Sequence, residues 1–143
     1  MKKVILFHII TLSIYTYGQK MELIESFIGY THKSEIISFT PNPKLIMSGD
    51  YTGAVNLWDL EQQKLIRTIN AHTSPINNIT FHNKKNLFLT CSKDSTIKLW
   101  SFYATKLLDS LKIEHEPTLA FFNEGRNSYF ICTNNGMILE KKI

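Results

Sequence analysis

The stretch "LTCSKDSTIKLW" (residues 89–100) alternates in character, turns through Lys93, Asp94 and Ser95, alternates again and ends on Trp100. Upstream by 42 residues, "MSGDYTGAVNLWD" (47–59) has the same rhythm. Shifting the sequence by 42 places Leu23-Ile24 on Leu65-Ile66, Phe39 on Phe81, Leu45 on Leu87, Val55 on Ile97 and Trp58 on Trp100, with no gap over residues 21–60. A second shift of 42 places Leu65-Ile66 on Leu107-Leu108 and Pro75 on Pro117. After one deleted residue, a shift of 41 carries Phe81 to Phe122, Cys91 to Cys132 and Ile97 to Ile138. The chain is therefore read as three copies, at about 22–60, 64–102 and 106–143, the last one most diverged.

Within each copy the apolar period is two. "INNITF" (76–81), "NLFLTC" (86–91) and "TIKLW" (96–100) are short apolar or alternating runs separated by Ser, Asn, Asp, Lys and Gly, and "KLIRTI" (64–69) precedes them. That is the signature of strands and tight turns, and no stretch after residue 20 sustains helical spacing. Four short strands in a repeat of this length make one propeller blade. The predicted fold is all-β, an array of three four-stranded antiparallel blades forming a half or partial propeller.

The second copy carries a specific set of residues: Ala71-His72, then Ile76, Ile79 and Phe81, then "LTCSKD" (89–94), then Trp100. The first keeps Gly29, Ser48 and Trp58-Asp59 but has Tyr30 and Thr52 at the His and turn-Asp positions. The third has Glu114, Asn135 and Lys141 in place of His, turn Asp and Trp. In this the sequence resembles the WD-repeat β-propeller family over almost everything after Met21. The resemblance implies a structural hydrogen-bond chain through His72, Thr90 (or its same-face neighbour Ser92), Asp94 and Trp100, with chemically suited donors and acceptors. It also implies a noncatalytic protein-interaction module. Two loop columns, His32, Ser74 and Glu116 in one and Tyr51, Lys93 and Asn134 in the other, would line one face where partners dock.

The family's blades take their outer strand from the start of the next repeat. Residues 23–28 would be such a strand placed ahead of any inner ones, and the third blade would have none after it. Since closed rings need about 4–8 blades, two copies are expected to assemble as a six-bladed homodimer, each lending residues 23–28 to the other's last blade. Gly53, Ser95 and Gly136 share one turn column, read as a position that needs positive φ.

Composition narrows the function further. The sequence has 16 basic and 12 acidic residues. Two of the basic ones, Lys2 and Lys3, open an N-terminal segment whose apolar stretch (4–15) and small-residue site at Thr16-Tyr17-Gly18 read as a signal peptide, residues 1–18. The remainder, 19–143, would be exported to a secreted or periplasmic location, free of the membrane once cleaved. Its small excess of positive charge argues against nucleic acid as a partner. His32, His72, His82 and His115 match no metal-ligand spacing, and no nucleophile stands beside a base, so neither metal, cofactor nor catalytic residues are expected. Cys91 and Cys132, in equivalent positions of neighbouring copies, are read as small core residues. The rival readings are a small-ligand, carbohydrate-binding or enzymatic propeller, and a degenerate remnant of a longer one.

Overall fold

The computed structural model describes residues 33–143 and, ahead of them, two short strands, β1 (Tyr15–Thr16) and β2 (Gln19–Lys20). These pair antiparallel, Tyr15 opposite Lys20 and Thr16 opposite Gln19. The rest of the expected signal segment, the expected outer strand at 23–28, and Gly29, Tyr30 and His32 lie outside the described residues. Among the described residues, no helix is long and apolar enough to cross a membrane.

Three antiparallel sheets follow one another along the chain. Blade 1 is β3 (Ser34–Phe39), β4 (Leu45–Asp50), β5 (Ala54–Asp59) and β6 (Lys64–Asn70), paired in that order. Blade 2 is β7 (Ile76–Phe81), β8 (Leu87–Ser92), β9 (Thr96–Ser101) and β10 (Lys106–Lys112). Blade 3 is β11 (Pro117–Asn123), β12 (Ser128–Thr133) and β13 (Ile138–Lys142). The outer strands β6 and β10 are the segments that open the second and third copies. Blade 3 shows three strands among the described residues, with β13 at its outer edge, in keeping with the expectation that its outer strand does not come from within the third copy.

The blades share their irregularities as well as their strands. Each inner strand slips register near its start, between Ser34 and Ile36, Ile76 and Asn78, and Pro117 and Leu119. Such bulges tighten twist where the chain enters the sheet. The turn column of Gly53, Ser95 and Gly136 has φ of 91°, 64° and 86°, so the positive-φ reading holds at all three. At Gly53 the constraint is doubled, because an added Cβ would stand 2.4 Å from the His72 carbonyl oxygen.

Structural register moves the one-residue deletion. Thr96 lies opposite Lys112 as Ala54 lies opposite Asn70, whereas Ile113 N–H donates to the Ser95 carbonyl as His72 N–H donates to that of Gly53. The deletion therefore falls between Lys112 and Ile113, several residues before the place the Pro75/Pro117 coincidence suggested. Ile113, not Glu114, is the counterpart of His72, and Glu116 is the counterpart of Pro75 rather than of Ser74.

Packing alternates with the pleat. On β8, Phe88 and Thr90 turn toward blade 1, while Leu89 and Cys91 turn toward blade 3, and all four are fully buried. Met47 and Val55 of blade 1 meet Ile76, Ile79, Phe88 and Trp100 in one core cluster; Leu89, Ile97 and Leu99 meet Ala120, Tyr129 and Ile131 in another. Burying a side chain of the size of Phe88 or Leu89 contributes about 1.5–3 kcal/mol, so the middle blade holds both neighbours. Both cysteines are free thiols. Burial, reinforced by neighbouring Cys132, pushes Cys91 up to about 12, whereas Cys132 is only half-buried and so departs from the core reading.

Candidate functional site

The loop entering blade 2 carries His72, and the hairpin between β8 and β9 carries Asp94. Strand pairing places Thr90 across from Lys98, two residues before Trp100, so Thr90, Trp100 and the turn lie on one face. Trp100 Nε1–H donates to Thr90 Oγ1 at 3.0 Å, and Thr90 Oγ1 lies 2.7 Å from His72 Nε2. His72 Nδ1 lies 3.0 Å from Asp94 Oδ2, and Asp94 also accepts from the Thr73 and Thr96 amides and from Thr96 Oγ1. Indole only donates and carboxylate only accepts, which assigns the proton directions: Trp100 to Thr90, Thr90 to His72 Nε2, His72 Nδ1–H to Asp94. The imidazole is neutral in this arrangement.

Electrostatics agrees with that assignment. Burial holds His72 below its ordinary value, outweighing the pull of Asp94. For Asp94 burial pushes upward, but hydrogen bonds from Thr96, Thr73 and His72 outweigh it and hold the carboxyl below its usual range. Ser92, the alternative to Thr90, does other work: its hydroxyl donates to the Ser74 carbonyl and accepts from Asp94 N–H. The four groups of the chain are spent on one another, which leaves His72 no free face for chemistry.

The flanking blades solve the same problem differently. In blade 1, Trp58 Nε1–H donates to Ser48 Oγ at 2.9 Å. Its turn is held by Asp50, wholly buried, whose Oδ1 accepts from Thr52 N–H, Thr52 Oγ1 and Ala54 N–H. Sequence reading missed Asp50 because it sits two places before the expected turn position. Blade 3 keeps no such chain: Ile113, Ile131 and Lys141 replace His72, Thr90 and Trp100, and both isoleucines join the apolar cluster. Lys141 reaches across to Asp109 on β10, Nζ to Oδ2 2.5 Å, and that hydrogen bond lowers the Asp109 pKa. His82 is buried; its Nδ1 accepts the Lys84 and Lys85 amides and its ring packs on Phe122. Among the described residues, no three His, Cys, Asp or Glu side chains are grouped to hold a metal ion.

The two loop columns expected to line one face are tied together by backbone geometry. Tyr51 N–H donates to the Lys33 carbonyl, Lys93 N–H to that of Pro75 and Asn134 N–H to that of Glu116. Each turn is thus fastened to the loop ahead of its own inner strand, and all three pairs lie on the same edge of the array. Tyr51, Lys93 and Asn134 are exposed there. Ser74 is half-buried, and Glu116 is engaged, its carboxylate accepting from Asn77 Nδ2 at 2.9 Å. His32 lies outside the described residues.

The sequence model of the family "WD domain, G-beta repeat" matches residues 22–59 and 63–101, more than half of the chain. The chain belongs to this family. The third copy, which has lost the His, Thr and Trp, is not matched. Retinoblastoma-binding-like protein E of Dictyostelium discoideum is 31% identical over 97 residues, covering 66% of this chain and 18% of that protein. Small ribosomal subunit protein RACK1 of Neurospora crassa is 32% identical over 121 residues, covering 80% of this chain and 38% of that protein. The β-propeller domain of Myceliophteria thermophila Cps50 superimposes with a TM-score of 0.72 at 18% identity, over 81% of this chain and 36% of its own. The chain thus spans under two-fifths of each of these proteins.

Replacing Trp100 with Ala is expected to cost about 3–5 kcal/mol, through the lost ring and the orphaned Thr90–His72 pair. Lys141→Ala, which breaks a partly exposed ion pair, is expected to cost under about 1 kcal/mol. Equal losses in a urea titration would reject the equivalence of these two positions.

The lowered pKa of His72 predicts a pH dependence. As pH falls, the unfolded chain takes up the imidazole proton first, near 6.5, so stability is full above that value and declines as pH falls through the lower folded value. Urea midpoints are expected to drop over this window in the native chain and to drop less in His72→Gln. Identical slopes in the two proteins would contradict a buried neutral His72.

Proposed function

We propose that this chain is a noncatalytic protein-interaction module that receives its partner on the loop edge bearing Tyr51, Lys93 and Asn134. One observation carries the reading: the three amide-to-carbonyl fastenings hold these exposed loops in a fixed register on one edge, while the polar groups that could do chemistry are turned inward and satisfied. A rigid edge with varied side chains suits recognition, since pre-ordered loops lose little entropy on binding. Family membership supports it, because WD-repeat proteins bind protein partners. A photo-crosslinking residue at position 93 is expected to capture a protein partner, and one at position 84, on the opposite edge, is not. Capture from position 84 alone would overturn the choice of edge, and thermal stabilisation by a sugar or metabolite in place of a protein would favour the small-ligand reading.

Export belongs to the same proposal and rests on the N-terminal sequence, with Lys2 and Lys3 ahead of an apolar stretch and the small-residue site. The β1–β2 ladder straddles the bond between Gly18 and Gln19, so cleavage there would separate its strands. Secreted or periplasmic protein is expected to begin at Gln19 on N-terminal sequencing. Intact Met1 in a soluble cytosolic fraction would overturn export. Self-association of two copies, the most specific part of this reading, follows from the faces described next.

A further inference from the structure

Blade-to-blade packing follows the repeat register, and that register identifies two faces that stand open among the described residues. At the first internal interface, blade 2 presents Ile79, Phe81 and Phe88 to blade 1. At the second it presents Leu89, Cys91, Ile97 and Leu99 to blade 3. The counterparts of the first set on blade 1 are Ile37, Phe39 and Ile46. Those of the second set on blade 3 are Phe130, Cys132, Ile138 and Glu140. Strand pairing bears out both equivalences: Ile37 lies opposite Ser48 as Ile79 lies opposite Thr90, and Ile138 lies opposite Cys132 as Ile97 lies opposite Cys91.

Burial does not follow the equivalence. Ile37 is 62% exposed where Ile79 is 3%, and Ile138 is 69% exposed where Ile97 is 1%. Phe39 is 80% exposed, whereas Phe81 packs into the core. On blade 3 the open face is larger still, since Leu119 and Phe121 join it and Phe121 stacks on Phe130 with centroids 5.6 Å apart. These are contiguous apolar surfaces of the kind that a soluble chain covers with a partner.

We propose that a second copy of this chain covers both faces, blade 1 of one copy packing on blade 3 of the other, so that two chains close a six-bladed ring. This deepens the reading of the chain as an interaction module and names one of its partners. Continuity with the internal interfaces selects a second copy. The face at blade 1 is the repeat counterpart of the surface that blades 2 and 3 present backward, and the face at blade 3 is the counterpart of what blades 1 and 2 present forward. They are the two halves of an interface that the chain already forms twice within itself. Geometry agrees: the described blades of two copies make six, within the range of closed rings. A two-fold axis uses the same contact twice and leaves no face open, whereas a one-sided partner would leave the other face in water.

One residue fits the interface poorly, and it sharpens the test. Glu140 stands where blade 2 has Leu99, and its carboxylate accepts from Ser128 Oγ at 2.6 Å. Placing a carboxylate at a blade interface costs stability, so Glu140→Leu is expected to tighten the dimer by about tenfold or more. Size exclusion with light scattering at about 10 μM, in the affinity range of ordinary specific complexes, is expected to give twice the chain mass. Ile138→Glu and Phe39→Glu are each expected to give the single-chain mass while keeping the β-sheet circular dichroism and cooperative unfolding, because both side chains are exposed within one chain. Any wild-type mass other than twice the chain, or a dimer that survives both glutamates, overturns the ring. A Glu140→Leu chain that dissociates more readily overturns the face assignment. A monomer that still captures a protein through position 93 would leave the interaction reading standing and remove the ring alone.

Discussion

The proton that His72 Nδ1 shares with Asp94 over 3.0 Å fastens the loop entering blade 2 to the turn closing its second hairpin. Trp100 and Thr90 extend that link across two strands, so four side chains remote in sequence fix the geometry of one blade. The arrangement tolerates burial because it is complete. Among the described residues, no buried side-chain nitrogen or oxygen is left without a partner, and an unmade bond at this depth would cost about 1–3 kcal/mol. Removing any one member leaves the others stranded, which makes the set nearly all-or-none.

Blade 3 shows the other way to satisfy that constraint. Its counterparts of His72 and Thr90 are Ile113 and Ile131, so the hydroxyl and the imidazole have been lost together and the space filled with hydrocarbon. Lys141, in the tryptophan's place, turns its ammonium to Asp109 on the neighbouring blade's outer strand. A bond within one blade has become a bond between blades. Asp109 in turn stands near Tyr129, whose hydroxyl is pushed up to about 12, first by burial and then by that carboxylate. A divergent copy of this kind is a consistent alternative packing of the same strands.

How much of this was legible depends on which residues carried the signal. Period-two runs and the 42-residue shift located the inner strands, and the family pattern supplied the lending of β6 and β10. The turn column was legible because Gly, Ser and Gly is a sterically meaningful set at positive φ. The deletion was misplaced because two prolines, 75 and 117, happen to stand 42 residues apart, while the hydrogen bonds that set register run from Ile113 and Asn134. Asp50 and His82 were missed for a common reason. Each is a polar residue beside a turn, and in sequence such residues look alike whether they face water or cap backbone amides from inside. Only the backbone donors around them, at Thr52 and Ala54 for one and Lys84 and Lys85 for the other, reveal the role.

The position of the complete polar chain follows from burial. Blade 2 alone is covered on both faces by described strands, with Phe88 and Leu89 each wholly buried on opposite sides of β8. A hydrogen bond screened from water on both sides is electrostatically stronger than one at an open face, so this blade gains most from keeping Trp, Thr, His and Asp together. It also belongs to both apolar clusters, and unfolding it would expose the facing surfaces of blades 1 and 3 in the same event. Lys93 draws its order from the same source, because it belongs to the turn that Asp94 holds, whereas Asp50 holds the turn that carries Tyr51. Order at Lys93 and stability at the centre of the array therefore depend on one carboxylate.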